Sequence, residues 1–412
     1  MLILITNNTL ANRAGTELYV RDLALGLLNR GHTPVAYSSR LGDVANELGV
    51  AGVQVVDDLE MVTAQPDIIH GHHHLDTMTA VLHFPGTPAI FVCHGSTPWE
   101  EGAPQFPRIL RYVAVDHACR DRLVIDHEIP EDRVRVLLNF VDLERFKPRG
   151  KLPDRPLRAL IFSNQANEHT HVSAVRAACE RTGLLLDVVG WASGNACAEP
   201  EAMLKNYDIV FAKGRAALEA LAVGAAVVLC DAAGAGPMVT TENVEQLRPL
   251  NFGIRALREA LSAEVIAREI ARYDPTNATT VSDHIRATAG LDDVTDEFIS
   301  LYREVIDEHS RMPQPNRVGE QLAVATYLRY LAPRLFQHDQ AMHRLALSEN
   351  ELEMIRNELE MIKNSRSWRM VTRYAAIKHQ LLGPRALIRT ASLLTSIWAY
   401  GRSIISRNSH AS

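Results

Sequence analysis

The chain reads as an α/β protein with two doubly wound domains, each on a parallel sheet, followed by a helical tail. Three observations predict this. Short apolar runs of four to eight residues alternate with amphipathic stretches from residue 1 to about 142, and the alternation restarts at 157 after a proline-rich segment. Beyond about 310 the strand pattern stops and helical periodicity takes over. The expected divisions are 1–147, 148–310 and 311–412.

In the first domain the strands are "LILIT", "TPVAYS", "VQVVD", "DIIHG", "AIFVCHG", "YVAVD" and "RVRVLLN", rich in β-branched residues as strands buried on both faces are. Between the first two, "GTELYVRDLALGLLNRGH" carries Leu18, Leu23, Leu25 and Leu28 at helical spacing and stops at Gly31. "DLERFKPRGKLPDRP" holds Pro148, Pro153 and Pro156 and reads as a linker. The second domain follows with "LRALIFS", "LLLDVVG", "YDIVFA" and "AAVVLCD", and "LDDVTDEFISLYREVIDEHS" is a helix placed to cross back.

In the tail, Leu345, Leu352 and Leu359 with Ile355 and Ile362 follow a heptad, which fits either a coiled coil joining copies of the chain through 341–364 or an amphipathic helix packed on its own protein. From Lys363 onward there are nine basic residues and no acidic one. Within 385 to 407, Leu387, Ala391, Leu394, Trp398 and Ile405 share one helical face, with Arg385, Arg389, Ser396 and Arg407 opposite, a pattern suited to an anionic membrane surface.

Composition excludes several classes. A net charge of −6 over 412 residues argues against a generally basic nucleic-acid binder, and no nucleic-acid partner is expected. The five cysteines form no metal spacing and read as small buried hydrophobes in a reducing compartment. "MLILITNN" reads as a first strand rather than a signal peptide, and no run of about 18 apolar residues predicts a spanning helix.

Ligands of open α/β sheets bind beyond the carboxyl ends of the strands, so candidate site residues follow each strand. After the first, Gly15 opens a helix, where it either lets backbone N–H groups approach a phosphate or makes a simple tight turn. "DIIHG" exits into His70, His72, His73 and His74, which fit a cleft lining, a structural cluster or, least well, a metal site. His94 follows a buried strand and should sit at the cleft mouth as a donor or proton carrier. In the second domain Lys213, Gly214 and Arg215 form a strand-to-helix turn where cations neutralise a diphosphate. Glu219, one turn on, stands on a helix of Ala and Leu. There it accepts hydrogen bonds from a ligand diol or pairs with Arg215 at i, i+4.

"AGTELYVRDLALGLLNRGH", the strand end at His94, "EDRVRVLLNFVDLERFKP" and "YDIVFAKGRAALEALAVGAAVVLCD" together resemble the retaining GT-B glycosyltransferases of family 4, over residues 1 to 310. The resemblance implies two Rossmann-like domains facing across a cleft, with Glu219 as the ribose-binding acid, Gly15 beside the diphosphate and His94 in the active site. It also implies metal-independent transfer from a nucleotide-sugar donor with retention, and no further cofactor; the chain has no Asp-x-Asp. Phe211 stands where the family's first acid is expected, and "SNQANEHTHV" puts Asn164 and Gln165 where a cation is expected, with Lys213 and Arg215 as substitutes. "SRSWR" at 365–369 is similar to a segment following coiled coils in bacterial surface-polysaccharide glycosyltransferases. A glycan or lipid-linked acceptor, at the cytoplasmic face of the inner membrane, is the implied setting. The alternatives are a catalytically degenerate scaffold of polysaccharide assembly and a nucleotide-sugar 2-epimerase.

Overall fold

The computed structural model describes residues 1–312 and 317–382. Residues 1–327 form one compact unit and the remainder a second. In chain order the first sheet has β1 (Leu2–Thr6), β2 (Thr33–Tyr37), β3 (Gln54–Val56), β4 (Ile68–His72), β5 (Ala89–Cys93), β6 (Ile109–Ala114) and β7 (Val134–Val136). Their order is β3-β2-β1-β4-β5-β6-β7, with every pairing parallel. The helices between them are α1 (Gly15–Asn29), α2 (Asp43–Val50), α3 (His74–His83) and α4 (His117–Asp121). The reversal between β1 and β4 creates a switch point, which puts the β1–α1 loop at the natural ligand crevice.

The second sheet comprises β8 (Arg158–Phe162), β9 (Leu185–Val189), β10 (Ile209–Ala212), β11 (Ala226–Asp231) and β12 (Gly234–Met238), ordered β12-β11-β10-β8-β9. Four strands are parallel, and β12 pairs antiparallel with β11, an edge strand that the pattern of "GAGPM" does not announce. Helices α5 (Val172–Thr182), α6 (Pro200–Met203), α7 (Gly214–Val223), α8 (Val244–Leu247), α9 (Ala263–Ile270) and α10 (Pro275–Thr288) cover it. This sheet has a core on each face, one built on Val210, Ala217 and Leu221 and the other on Ile209, Phe211 and Val228. Full burial of "IVFA" on both sides is why β10 shows no polar alternation.

The chain returns to the first sheet through α11 (Leu291–Arg311). Backbone bonds join Val141 to Ala289 and Leu291 at 2.8 and 2.9 Å, so the outgoing and returning segments run side by side. Phe298, Tyr302 and Val305 of α11 then complete the first core. Beyond lie α12 (Arg317–Asn364), a 48-residue helix with Pro333 in its interior, and α13 (Arg366–Leu382). Among the described residues no helix is long and apolar enough to cross a membrane. The amphipathic face expected over 385–407 lies outside the described residues.

Candidate active site

The carboxyl ends of the two sheets bound a cavity of about 330 Å³, within the usual range for a small-molecule site. The first sheet contributes Arg13 and Gly15 from the β1–α1 loop. The second contributes Asn164, Gly190 and Trp191 from its strand exits and Arg215 and Glu219 from α7. Gly190 holds φ +157°, and a Cβ there would lie 1.9 Å from the Ser163 carbonyl oxygen, so only glycine lets the β8 and β9 exits meet this closely. A Cβ at Gly15 would meet nothing within 4 Å, leaving the start of α1 open to the cavity. The first amides of that helix form a ready anion site.

Beneath the cavity runs a charged network. Arg215 Nε donates to Glu219 Oε1 at 2.8 Å, and its Nη2 reaches across to Asp22 of α1. Asp22 also takes Arg21 Nη2 at 2.6 Å and stands 3.9 Å from Arg145, which pairs with Glu201 at 3.0 Å. Arg13 and Arg21 meet at Glu47. Four arginines thus face four carboxylates, near neutrality. Burial pushes the Asp22 carboxyl up, but Arg215, Arg21 and Arg145 outweigh it and hold the group below the usual carboxylate range. Burial raises Glu219, with Arg215 opposing only in part. Of the two alternatives for Glu219, the i, i+4 pair with Arg215 is present, made through Oε1, and the same side chain lines the cavity.

Gly15, Asn164, Arg215 and Glu219 share the cavity lining, whereas Lys213, Gly214 and His94 are not part of it. The expected diphosphate cation Lys213 instead pairs with Asp231 at the end of β11. Gly214 has a left-handed φ of +58° and gives its N–H to the Phe252 carbonyl at 3.0 Å, so that amide is not presented to an anion. Phe211, at the position of the missing acid, is fully buried in the core. The geometry separates Lys213 from Arg215 because neighbours at a strand-to-helix turn point apart.

His94 is half-buried. Its Nε2 is 2.7 Å from His72 Nδ1, the two rings stack, and Tyr19 packs edge-on at 4.6 Å. Its backbone N–H donates to Glu101 at 2.8 Å. Burial first, then His73, His70 and Arg215, hold the ring well below the usual histidine range, so it is neutral at pH 7. His70 and His72 lie within β4 itself, and the run disperses to separate partners: His70 to Tyr302 at 2.5 Å, His72 to His94, His73 to Glu101 at 3.5 Å and His74 to Tyr327 at 2.7 Å. Among the described residues no group of three or more metal-ligating side chains could hold an ion, so this arrangement does not support the metal alternative.

Sequence reasoning missed Arg13, Asp22 and Trp191. Arg13 lies two residues before Gly15 in the same loop and was readable there. Trp191 is 60% exposed directly after β9, a strand exit like those already singled out. Asp22 looked like an ordinary helix-surface acid, and nothing local marks it as the partner of a residue in the other domain.

Comparison with known proteins fits this geometry. Residues 13–145 match the family described as Glycosyltransferase Family 4. None of the curated proteins matches the chain. Among solved structures, the chain is similar to a glycosyltransferase from Rickettsia africae ESF-5 at 16% identity, covering 74% of this chain and 98% of that one, with a TM-score of 0.55. It is similar to Anabaena HepE in complex with UDP and glucose at 14% identity, covering 74% and 100%, TM-score 0.56. A sucrose-phosphate synthase from Thermosynechococcus elongatus matches at 12% identity over 74% and 99%, TM-score 0.53. The two facing sheets of this chain thus have the GT-B fold of glycosyltransferases, and the family match lies within the first of them.

Proposed function

We propose that the protein is a glycosyltransferase that moves a sugar from a nucleoside-diphosphate donor to a glycan acceptor. The observation that carries this reading is Glu219, a buried carboxylate facing the open N-terminus of α1 across a cavity of nucleotide size. Glu219 Oε2 accepts from the ribose hydroxyls while Arg215 holds Oε1. Trp191 offers an aromatic face to the base, and Gly15 with the first amides of α1 receives the diphosphate. Because the network beneath is near neutral, an incoming diphosphate must redirect a cation. Arg13, 29% exposed and tied only to the half-exposed Glu47, is the least costly to redirect. His94, fixed by His72 and uncharged, donates to a hydroxyl of the reacting sugar or acceptor. Stabilisation of the leaving diphosphate by preorganised N–H groups and arginine carries the transfer, without a metal and with retention. The acceptor is lipid-linked, and the basic segment 363–412 holds the enzyme at the cytoplasmic face of an anionic membrane.

Glu219→Gln keeps the shape and removes the charge. A hydrogen bond to a charged group contributes about 1.5–3 kcal/mol, so affinity for UDP or GDP should fall about 10- to 150-fold by calorimetry. Unchanged affinity for both would end the assignment. A second reading, a degenerate GT-B protein that binds without transferring, is favoured by three observations: Phe211 buried where an acid is expected, Lys213 tied to Asp231 and the Gly214 amide already bonded. Slow donor hydrolysis or transfer by the purified wild type separates it from the first.

A further inference from the structure

The long helix α12 carries an apolar seam that is exposed among the described residues. Leu345, Leu352, Ile355, Leu359 and Ile362 are between 47% and 60% exposed. Their spacing alternates three and four, which assigns Leu345, Leu352 and Leu359 to heptad position a and Ser348, Ile355 and Ile362 to position d. The apolar residues at the neighbouring position c, Leu347, Met354 and Met361, have only Asn350 and Asn357 or Glu351 and Glu358 beside them, so they make no second seam.

The charges flanking the seam identify what covers it. Positions g are Arg344, Glu351 and Glu358, and positions e are Glu349, Arg356 and Lys363. In a parallel, in-register assembly each g meets the e of the following heptad on the next strand. The pairs are then Arg344–Glu349, Glu351–Arg356 and Glu358–Lys363, three of three opposite in sign. An antiparallel arrangement centred on the same seam brings g to g and e to e: Glu351 then meets Glu358 of the next strand, a like-charged pair made twice, and only the Glu349–Arg356 contacts stay opposite in sign. Among the described residues none of these six side chains is ion-paired within the chain. Leucine at a with isoleucine at d favours three or four strands over two, because γ-branched and β-branched side chains pack best at those positions in wider bundles.

We propose that residues 341–364 assemble identical copies of this chain into a parallel, in-register bundle of three or four strands. The inference is independent of the cavity and survives if the transferase reading fails. Sedimentation equilibrium of the full chain should give three or four times the 45.7 kDa chain mass. Ile355→Asp should bring it to a single chain while the α/β unit keeps its thermal transition, since this side chain lies on an exposed face. Ser348→Cys, at a d position, should form an intermolecular disulfide under mild oxidation, with Asn350→Cys on the outer face as the control. A wild-type mass of one or two chains overturns the proposal. So does an Ile355→Asp protein that stays assembled, or a Ser348→Cys protein that cross-links no faster than Asn350→Cys.

Discussion

The arginine–carboxylate cluster beneath the cavity and the histidine cluster beside it bury comparable polarity in opposite ways. Asp22 and Glu219 are 2% and 4% exposed, and Arg215 bonds both, from α7 across to α1, so that Asp22 is held ionised against its burial. His70, His72 and His94 have no carboxylate on their rings and are held neutral instead; burial takes His70 down to about 3. Charge that must be retained needs partners, and the partners come from both domains. Neutral rings need only stacking neighbours, which one domain supplies. The ionic cluster thus ties α1 to α7 beneath the cavity, while the histidines add no charge beside it.

Removing one member of the ionic cluster should do the most damage. Arg215→Ala leaves Glu219 without its hydrogen-bonded cation and Asp22 with fewer, and breaking a buried pair this way costs about 3–5 kcal/mol. Urea denaturation measures it, and a loss below 1 kcal/mol would mean that the two clusters do not differ as described.

The second test exploits their opposite titration. His70 faces Tyr302, His72 and Phe298, and its folded value is depressed, so its contribution is present above the ordinary histidine value of 6.5 and lost as pH falls toward about 3. Asp22, depressed below 3.8, loses its contribution only at more acid pH, so between pH 7 and 5 the histidines titrate and Asp22 does not. Glu101, pushed up to about 8 by burial, has the reverse slope, since its contribution is lost as pH rises, but it is common to wild type and variant. His70→Phe should therefore gain about 2 kcal/mol relative to wild type between pH 7 and pH 5, read from urea curves at both. Parallel pH profiles would contradict the neutral assignment.

The smallest effect sharpens the contrast with burial. Arg30 pairs with Asp292 at 3.0 Å and with Asp296, but those carboxylates are 80% and 66% exposed. Arg30→Ala should cost about 0–1 kcal/mol in the same assay.

Much of the architecture was legible because it is written in local periodicity. Strand and helix runs, the returning helix and the heptad each depend on residues within a turn or two of one another. Strand β12 escaped because an edge strand pairing on one side needs no apolar run, and "GAGPM" offers glycine and proline where β-branched residues would mark a strand. Within the site, Gly15 and Glu219 were readable because each stands out from its immediate neighbours, a glycine opening a helix and an acid among alanines. Lys213 and Arg215 looked equivalent, since their difference lies in what each one reaches.

The amino-acid sequence by itself determined the strand–helix alternation on both sides of the proline-rich segment and the candidate positions after strand ends. Side-chain period and backbone preference are properties of short segments. Only the tertiary structure decided that Arg215 meets Asp22 from the other domain, that Lys213 turns to Asp231, and that His94 is half-buried and neutral. The charge state and partner of a buried group follow from the dielectric and the ions around it. Those surroundings are assembled from residues nearly two hundred positions apart.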